Sequence, residues 1–205
     1  MMAMVRLAAL AMLVMMSGVA LVSPAAAQLS QSPGSKFLSA VKEEKNNEVV
    51  AALSVGGATV VNTRDFSSRE TALHIVAKRG NLLYTRFLLQ KGADPNLRDI
   101  KGNTPLMVAV SGGFADLIAP LVAAKTNVNQ GNDSGETPLI RAVQRRDLAM
   151  VRELIAAGAD PDQADSLAGK SARAYADEDT RTPALARLFV DIPKRQRRAV
   201  SGPTL

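Results

Sequence analysis

The chain of 205 residues has no cysteine, no tryptophan and one histidine, and aromatic residues make up only 3% of it. Without cysteine it forms no disulfide and no thiolate metal site, and its N-terminus is not lipidated. With one histidine, any nucleophile–histidine pair would have to use His74. The core must consist mainly of Leu, Ala, Val and Ile. This composition gives little support to enzyme chemistry.

A unit of about 33 residues recurs along the chain. Its first half reads TALHIVA from Thr71, TPLMVAV from Thr104 and TPLIRAV from Thr137. Its second half, Gly92 to Asn96, returns as Gly158 to Asp162 and more weakly as Lys125 to Asn129. A fixed period of this length predicts a solenoid, because each unit has an apolar face that it cannot bury alone.

Capping residues predict two short antiparallel helices in each unit. Threonine before proline can cap a helix, and proline at the first helical position loses no needed N–H group. Gly92 and Gly158 follow apolar runs, where a helix must end in a left-handed residue. A projecting turn or β-hairpin finger should complete each unit. The four fingers are predicted at residues 62–70, 96–103, 129–136 and 162–170.

The recurring sequence resembles the ankyrin repeat, whose consensus centres on Thr-Pro-Leu-His-x-Ala and a Gly-Ala-Asp-x-Asn turn. The resemblance runs from about residue 37 to residue 189. It implies an all-α repeat solenoid of stacked helix-turn-helix units with short β-hairpin fingers, about four units plus a C-terminal cap. The predicted units are residues 37–70, 71–103, 104–136 and 137–170, followed by a cap at 171–190, within a repeat domain of 37–190.

The first and third units depart from this pattern. The first supplies only Phe37 to Val41 of its first helix, and its turn from Gly56 to Asn62 is longer than the others. The third lacks the Gly-Ala-Asp turn. Pro120 lies inside its apolar helix, predicted from Ala115 to Ala123, where proline should remove a hydrogen bond and cause a kink. We expect the third unit to be the least regular.

Residues 1–27 have the three parts of a secretory signal peptide. Arg6 is their only charge, an apolar run follows from Leu7 to Val22, and the segment ends in three alanines. We expect cleavage between Ala27 and Gln28, a linker at 28–36, and a periplasmic or secreted protein of bacterial type. The alternative is an uncleaved membrane anchor, because residues 7–27 could nearly span a bilayer of about 30 Å.

The formal net charge is +6, and its densest cluster is a tail at residues 191–205. The tail lacks apolar periodicity and is predicted to be disordered. It either aids solubility or holds the protein to an anionic surface. We expect no nucleic-acid partner, because an exported protein rarely meets one, and we expect a monomer. The tail cations are Lys194, Arg195, Arg197 and Arg198.

Candidate catalytic and metal sites are weak. His74 occupies the histidine of the repeat motif, where the resemblance implies a structural role that bridges its helix to the neighbouring finger. Asp160, Asp162 and Asp165 superficially resemble a calcium loop but lack its glycine and its distal glutamate. We therefore expect no catalytic residue, no metal and no cofactor.

The resemblance implies that a partner protein docks on the concave face, formed by finger tips and exposed ends of first helices. Arginine and exposed apolar residues are typical anchors of interfaces. The cations of adjacent units should align into one ribbon that attracts an acidic partner, with Lys78 and Arg79 pointing the same way as Gln144 and Arg145. The predicted function is a non-catalytic periplasmic interaction module; the alternative is a peripheral envelope component held by its basic tail. The candidate partner-binding residues are Phe66, Arg69, Lys78, Arg79, Arg98, Ile100, Lys101, Asn103, Gln144 and Arg145, and Ser67, Asp133 and Glu136 share their face.

Overall fold

A computed structural model describes residues 32–194, and the compact unit of the chain begins at Pro33. The predicted signal peptide, its cleavage point and the tail beyond Lys194 lie outside the described residues. None of the helices within the described range is long and apolar enough to cross a membrane. The helices are α1 (Pro33–Lys42), α2 (Asn46–Val61), α3 (Ala72–Lys78), α4 (Leu82–Gln90), α5 (Pro105–Gly112), the 3-10 helix η1 (Ala115–Leu117), α6 (Ile118–Ala123), α7 (Pro138–Gln144), α8 (Leu148–Ala156), α9 (Ala172–Glu178) and α10 (Ala184–Arg187).

The helices form two stacked rows, which confirms the predicted all-α repeat solenoid. The first helices of successive units contact one another from α1 through α3, α5 and α7 to α9. In the second row α4 contacts α6, and α6 contacts α8. Each central unit has one fully buried leucine in its first helix and one in its second, because these side chains lie between the two rows. These leucines are Leu73, Leu106 and Leu139 in the first row and Leu88, Leu121 and Leu154 in the second.

Side-chain caps start the helices of both rows. The hydroxyl oxygen of Thr104 accepts the N–H of Met107 at 3.3 Å, and Thr137 caps α7 in the same way. In the second row the side chain of Asn81 caps α4. These contacts satisfy N–H groups that have no partner within the helix.

Left-handed residues end the helices of the second row. Gly92 and Gly158 have φ angles of 87° and 88°, as their positions in the sequence predict. Lys125 occupies the equivalent place in the third unit at a φ of 64°, without the freedom of glycine. The helix expected from Ala115 to Ala123 changes type before Pro120. The segment breaks into η1 and α6, which places Pro120 in the first turn of α6, where its missing N–H has no helical partner to lose.

The ends of the array differ from the prediction. The turn expected from Gly56 to Asn62 is largely helical, because α2 continues to Val61 and is interrupted only at Gly57 (φ 50°, ψ −138°). Helix α1 begins at Pro33, so the last residues of the predicted linker belong to the folded unit. Ile192 packs against the core, which extends the C-terminal cap beyond residue 190.

An asparagine side chain joins each unit to the next. Its Oδ1 accepts an N–H of the following unit at 2.7 Å, and its Nδ2 donates to a carbonyl of that unit. The fourth equivalent position is Asp162, which accepts two hydrogen bonds from the buried Arg173 of the cap. The bonded groups are Asn62 with Asp94 and Gly92, Asn96 with Asn127 and Lys125, and Asn129 with Asp160 and Gly158.

Candidate functional site

Each finger contains a turn that is held by the side chain of the residue at which the turn begins. Asp99 shows the arrangement: its Oδ1 accepts the N–H groups of Lys101 and Asn103, both at 2.8 Å. Asp65, Asn132 and Asp165 hold the other fingers in the same way. The described residues contain no β-strand, and their one isolated bridge joins Ala164 to Ser171. The fingers are therefore short turns, each also closed by one backbone hydrogen bond, such as that from Asp99 N–H to the carbonyl of Asn103 at 2.9 Å.

One backbone hydrogen bond connects each finger to the next. Ile100 N–H donates to the carbonyl of Ser68 at 2.9 Å, and Asp133 N–H donates to that of Lys101 at 3.1 Å. The last link joins Ser166 to Ser134 at 2.8 Å. The finger tips thus form a continuous ridge with fixed spacing.

Lys42 anchors the first finger to α1. Its ammonium lies 2.7 Å from a carboxylate oxygen of Asp65. This ion pair, with hydrogen bonds from the hydroxyl and N–H of Ser67, holds the pKa of Asp65 far below its usual value. The carboxylate therefore stays ionised and keeps the finger in place throughout the neutral range.

His74 bridges its own helix to the following finger, in the place where the family resemblance implies a structural role. Its Nε2 lies 3.0 Å from the carbonyl oxygen of Asn103, so Nε2 carries the proton. Nδ1 accepts the N–H of Thr71 at 3.2 Å. The side chain is fully buried, and burial lowers its pKa, against the opposing effect of the Asn103 carbonyl. Both ring nitrogens are thus engaged with the fold.

Four of the predicted partner-binding residues also form hydrogen bonds within the fold. The guanidinium of Arg79 donates to the carbonyls of Val41 and Lys42 at 3.0 and 2.6 Å, at the end of α1. Arg145 donates to Ser111 O at 2.8 Å, at the end of α5. They do point the same way, but into the preceding unit, because helix C-terminal carbonyls need donors.

Arg98 and Asn103 are also engaged internally. Arg98 donates to Gly102 O at 2.9 Å and to the carboxylate of Asp133 at 2.9 Å, which braces two fingers. Asn103 donates its amide to Asp99 at 3.0 Å. Three cations of the predicted ribbon, Arg79, Arg98 and Arg145, therefore donate hydrogen bonds within the fold.

The other six predicted residues keep exposed side chains. Phe66 is 87% exposed and Ile100 is 59% exposed, both at finger tips. Arg69 and Lys101 have no side-chain hydrogen bond or ion pair among the described residues. The ammonium of Lys78 makes a long ion pair of 3.7 Å with the carboxylate of Glu70, and the side chain of Lys78 is 71% exposed. Gln144 is exposed at the end of α7.

The structure brings three of these residues, Lys78, Ile100 and Lys101, to one cleft of about 400 Å³. We call it the finger cleft: the first two fingers form one wall and the ends of α3 and α5 form the other. Sequence reasoning missed its contributors Val108 and Ser111. Val108 lies four residues after Thr104 and is half-buried on the concave side of α5. The helical period could have identified it, because Val108 lies one helical turn after the residue that caps α5.

Carboxylates near the fourth finger are used by the fold. Asp165 Oδ2 accepts the hydroxyl of Tyr175 at 2.6 Å, and its Oδ1 accepts three backbone N–H groups. Burial opposes ionisation of Asp165, but these hydrogen bonds hold its pKa below the usual value. Within residues 32–194 no cluster of acidic and histidine side chains is arranged to hold a metal ion.

Comparison with known proteins supports the repeat architecture. A family model described as ankyrin repeats (3 copies) matches residues 37–132 and 85–165. Neurogenic locus notch homolog protein 1 is 34% identical over 136 residues in both Danio rerio and Homo sapiens, covering 66% of this chain and 6% and 5% of those proteins. The Neurogenic locus Notch protein of Drosophila melanogaster is 35% identical over 119 residues, which cover 58% of this chain and 4% of that protein. The similarity concerns a small part of each relative.

Proposed function

The chain belongs to the ankyrin repeat family, whose repeats generally mediate protein–protein interaction, and we propose that it is a non-catalytic module that binds a partner protein through its concave face. The observation that carries this proposal is the group of exposed side chains on the first two fingers and α3. Phe66 and Ile100 offer apolar contact there, and Arg69, Lys78 and Lys101 offer positive charge.

The charge of this group favours an acidic partner. Acidic side chains nearby are already bonded within the fold, as Asp65 is to Lys42 and Asp99 is to its own finger. The exposed cations therefore have the larger effect on an approaching protein. Exposed charges are screened over about 8 Å at physiological ionic strength, so binding should weaken as salt is added.

Export to the periplasm is the second part of the proposal, and it depends on residues 1–27. Small residues at Ala25 and Ala27 suit cleavage by signal peptidase. The intact mass of the protein recovered from periplasm should correspond to a chain that begins at Gln28. Recovery of a membrane-bound chain that retains Met1 would contradict both export in soluble form and cleavage.

Capture from periplasmic extract, with identification by mass spectrometry, tests the binding function. The immobilised chain from Gln28 to Leu205 should retain a specific protein at low salt and release it as salt rises. Free Arg and Lys side chains also attract acidic proteins nonspecifically, so the same capture with a charge-reversed concave face is the control. Equal recovery on both forms would contradict the proposal.

A further inference from the structure

The finger cleft has a more specific chemistry than the concave face as a whole. We propose that it binds a short segment of a partner protein in which an aliphatic side chain is flanked by carboxylates. The inference rests on the proposed binding function and adds the position on the face and the chemical class of the ligand.

The size and lining of the cleft suit one large aliphatic side chain and its neighbours. A volume of about 400 Å³ falls in the range of pockets that hold small ligands, about 300–1,000 Å³. Val108 is half-buried on the helix wall, and Ile100 is 59% exposed at the tip of the finger wall. An aliphatic group between them would remove apolar surface from water, which is the main source of affinity.

Positive charge flanks this apolar contact on both sides. Lys101 extends from the finger wall and has no side-chain partner among the described residues. Lys78 extends from the end of α3, with a long contact of 3.7 Å to Glu70. Asp99 also lines the cleft, but its two oxygens already accept hydrogen bonds from Lys101 N–H and from the backbone and amide of Asn103. Glu70 lines the cleft as well and is the ion-pair partner of Lys78. An incoming carboxylate therefore meets the ammonium of Lys101 directly and competes with Glu70 for that of Lys78.

The C-terminal half of the array does not repeat this arrangement. Three of its cations are ion-paired: Arg141 with Glu136, Arg146 with Asp179 and Lys170 with Glu178. A second cavity of about 400 Å³ lies there, but it contains the Arg146–Asp179 pair. Arg181 also lines that second cavity, but the finger cleft combines Lys101 with an exposed aliphatic side chain, that of Ile100, which is why the proposal assigns the segment to it.

A peptide titration followed by amide NMR tests the assignment. The ¹⁵N-labelled chain from Gln28 to Leu205, which includes the whole compact unit, is titrated with acetyl-Gly-Ser-Asp-Leu-Glu-Ser-Gly-amide. The amide signals of Lys78, Ile100, Lys101 and Val108 should shift and saturate. Peptides with Asn-Leu-Gln or Asp-Ser-Glu at the centre should bind about fivefold more weakly, because each lacks either the charges or the aliphatic group.

Matched charge reversals control for general electrostatics. Lys101→Glu should weaken the Asp-Leu-Glu peptide by about fivefold or more, and Arg152→Glu on the outer helix α8 should leave its affinity unchanged. Shifts centred elsewhere, equal binding of a Lys-Leu-Lys peptide, or no saturable shift with any peptide would overturn the assignment. None of these results would affect the broader proposal if the intact chain still captures a partner in a salt-dependent way, so the two failures are distinguishable.

Discussion

At the scale of single residues, His74 links two units through both of its ring nitrogens. Its position within the repeat motif made this role predictable, because the neighbouring finger follows at a fixed spacing. The engagement of Arg79, Arg98 and Arg145 was not predictable. Their sequence positions are typical of an exposed face, and only the structure shows that nearby helix ends and finger carbonyls take their donors.

The pKa of His74 provides a direct test of its burial. The native pKa lies below 6.5 because burial disfavours the charged ring. The unfolded chain binds the proton near pH 6.5, so stability contributed by the neutral ring is complete above that pH and declines as pH falls toward the native pKa. The imidazole signal in NMR should titrate with a midpoint below 6.5. A midpoint at or above 6.5 would contradict the buried neutral state, and the single histidine makes the assignment unambiguous.

His74→Ala should lower the free energy of unfolding by about 1–3 kcal/mol, because it leaves the Asn103 carbonyl and the Thr71 N–H without their partner. It should also remove the loss of stability between pH 7.5 and pH 5.5. Urea unfolding at both pH values measures the effect. Unchanged stability of the variant at pH 7.5 would exclude the bridging role.

At the scale of elements, the helices were predictable because Thr-Pro pairs, apolar periodicity and terminal glycines all agree at each unit. The irregular elements were less so. Pro120 was expected to kink a helix, but the chain restarts the helix just before it. Gly57 was expected in a turn, but its freedom at positive φ instead lets two helical segments follow each other. Local signals fix the residue that breaks a helix, whereas the packing of neighbouring units decides how it is accommodated.

Arg173 closes the array at its C-terminal end. Its guanidinium donates to both oxygens of Asp162 and to the carbonyls of Phe189 and Ile192, and the side chain is buried. Arg173→Ala leaves the carbonyl of Phe189 without its buried donor, and an unsatisfied buried acceptor costs about 1–3 kcal/mol. In this variant the amide hydrogens of residues 172–192 should therefore exchange faster than those of the other units.

Arg187→Ala is the matched control, because Arg187 is exposed on α10. It should leave hydrogen exchange in the cap unchanged. If the cap amides exchanged equally slowly in Arg173→Ala and Arg187→Ala, the hydrogen bonds of Arg173 would not be what closes the array.

At the scale of the whole molecule, the concave face is less uniform than its sequence indicates. The expected ribbon of cations spans all units, but internal bonds leave the available positive charge near the first two fingers. A fixed repeat period places equivalent residues in one row, and this much is predictable. Which members of the row bind a neighbouring unit depends on individual distances, so the binding surface required the structure.

The most direct test of the central claim is the association rate of the captured partner with two charge-reversed forms of the chain. Lys78→Glu with Lys101→Glu should slow association about tenfold or more and reduce its salt dependence, while the unfolding midpoint is retained, because both side chains are exposed. Arg86→Glu with Arg152→Glu, on the outer helices, should leave association close to that of the unchanged chain. Equal losses from both pairs, or association that salt does not affect, would contradict binding through the concave face.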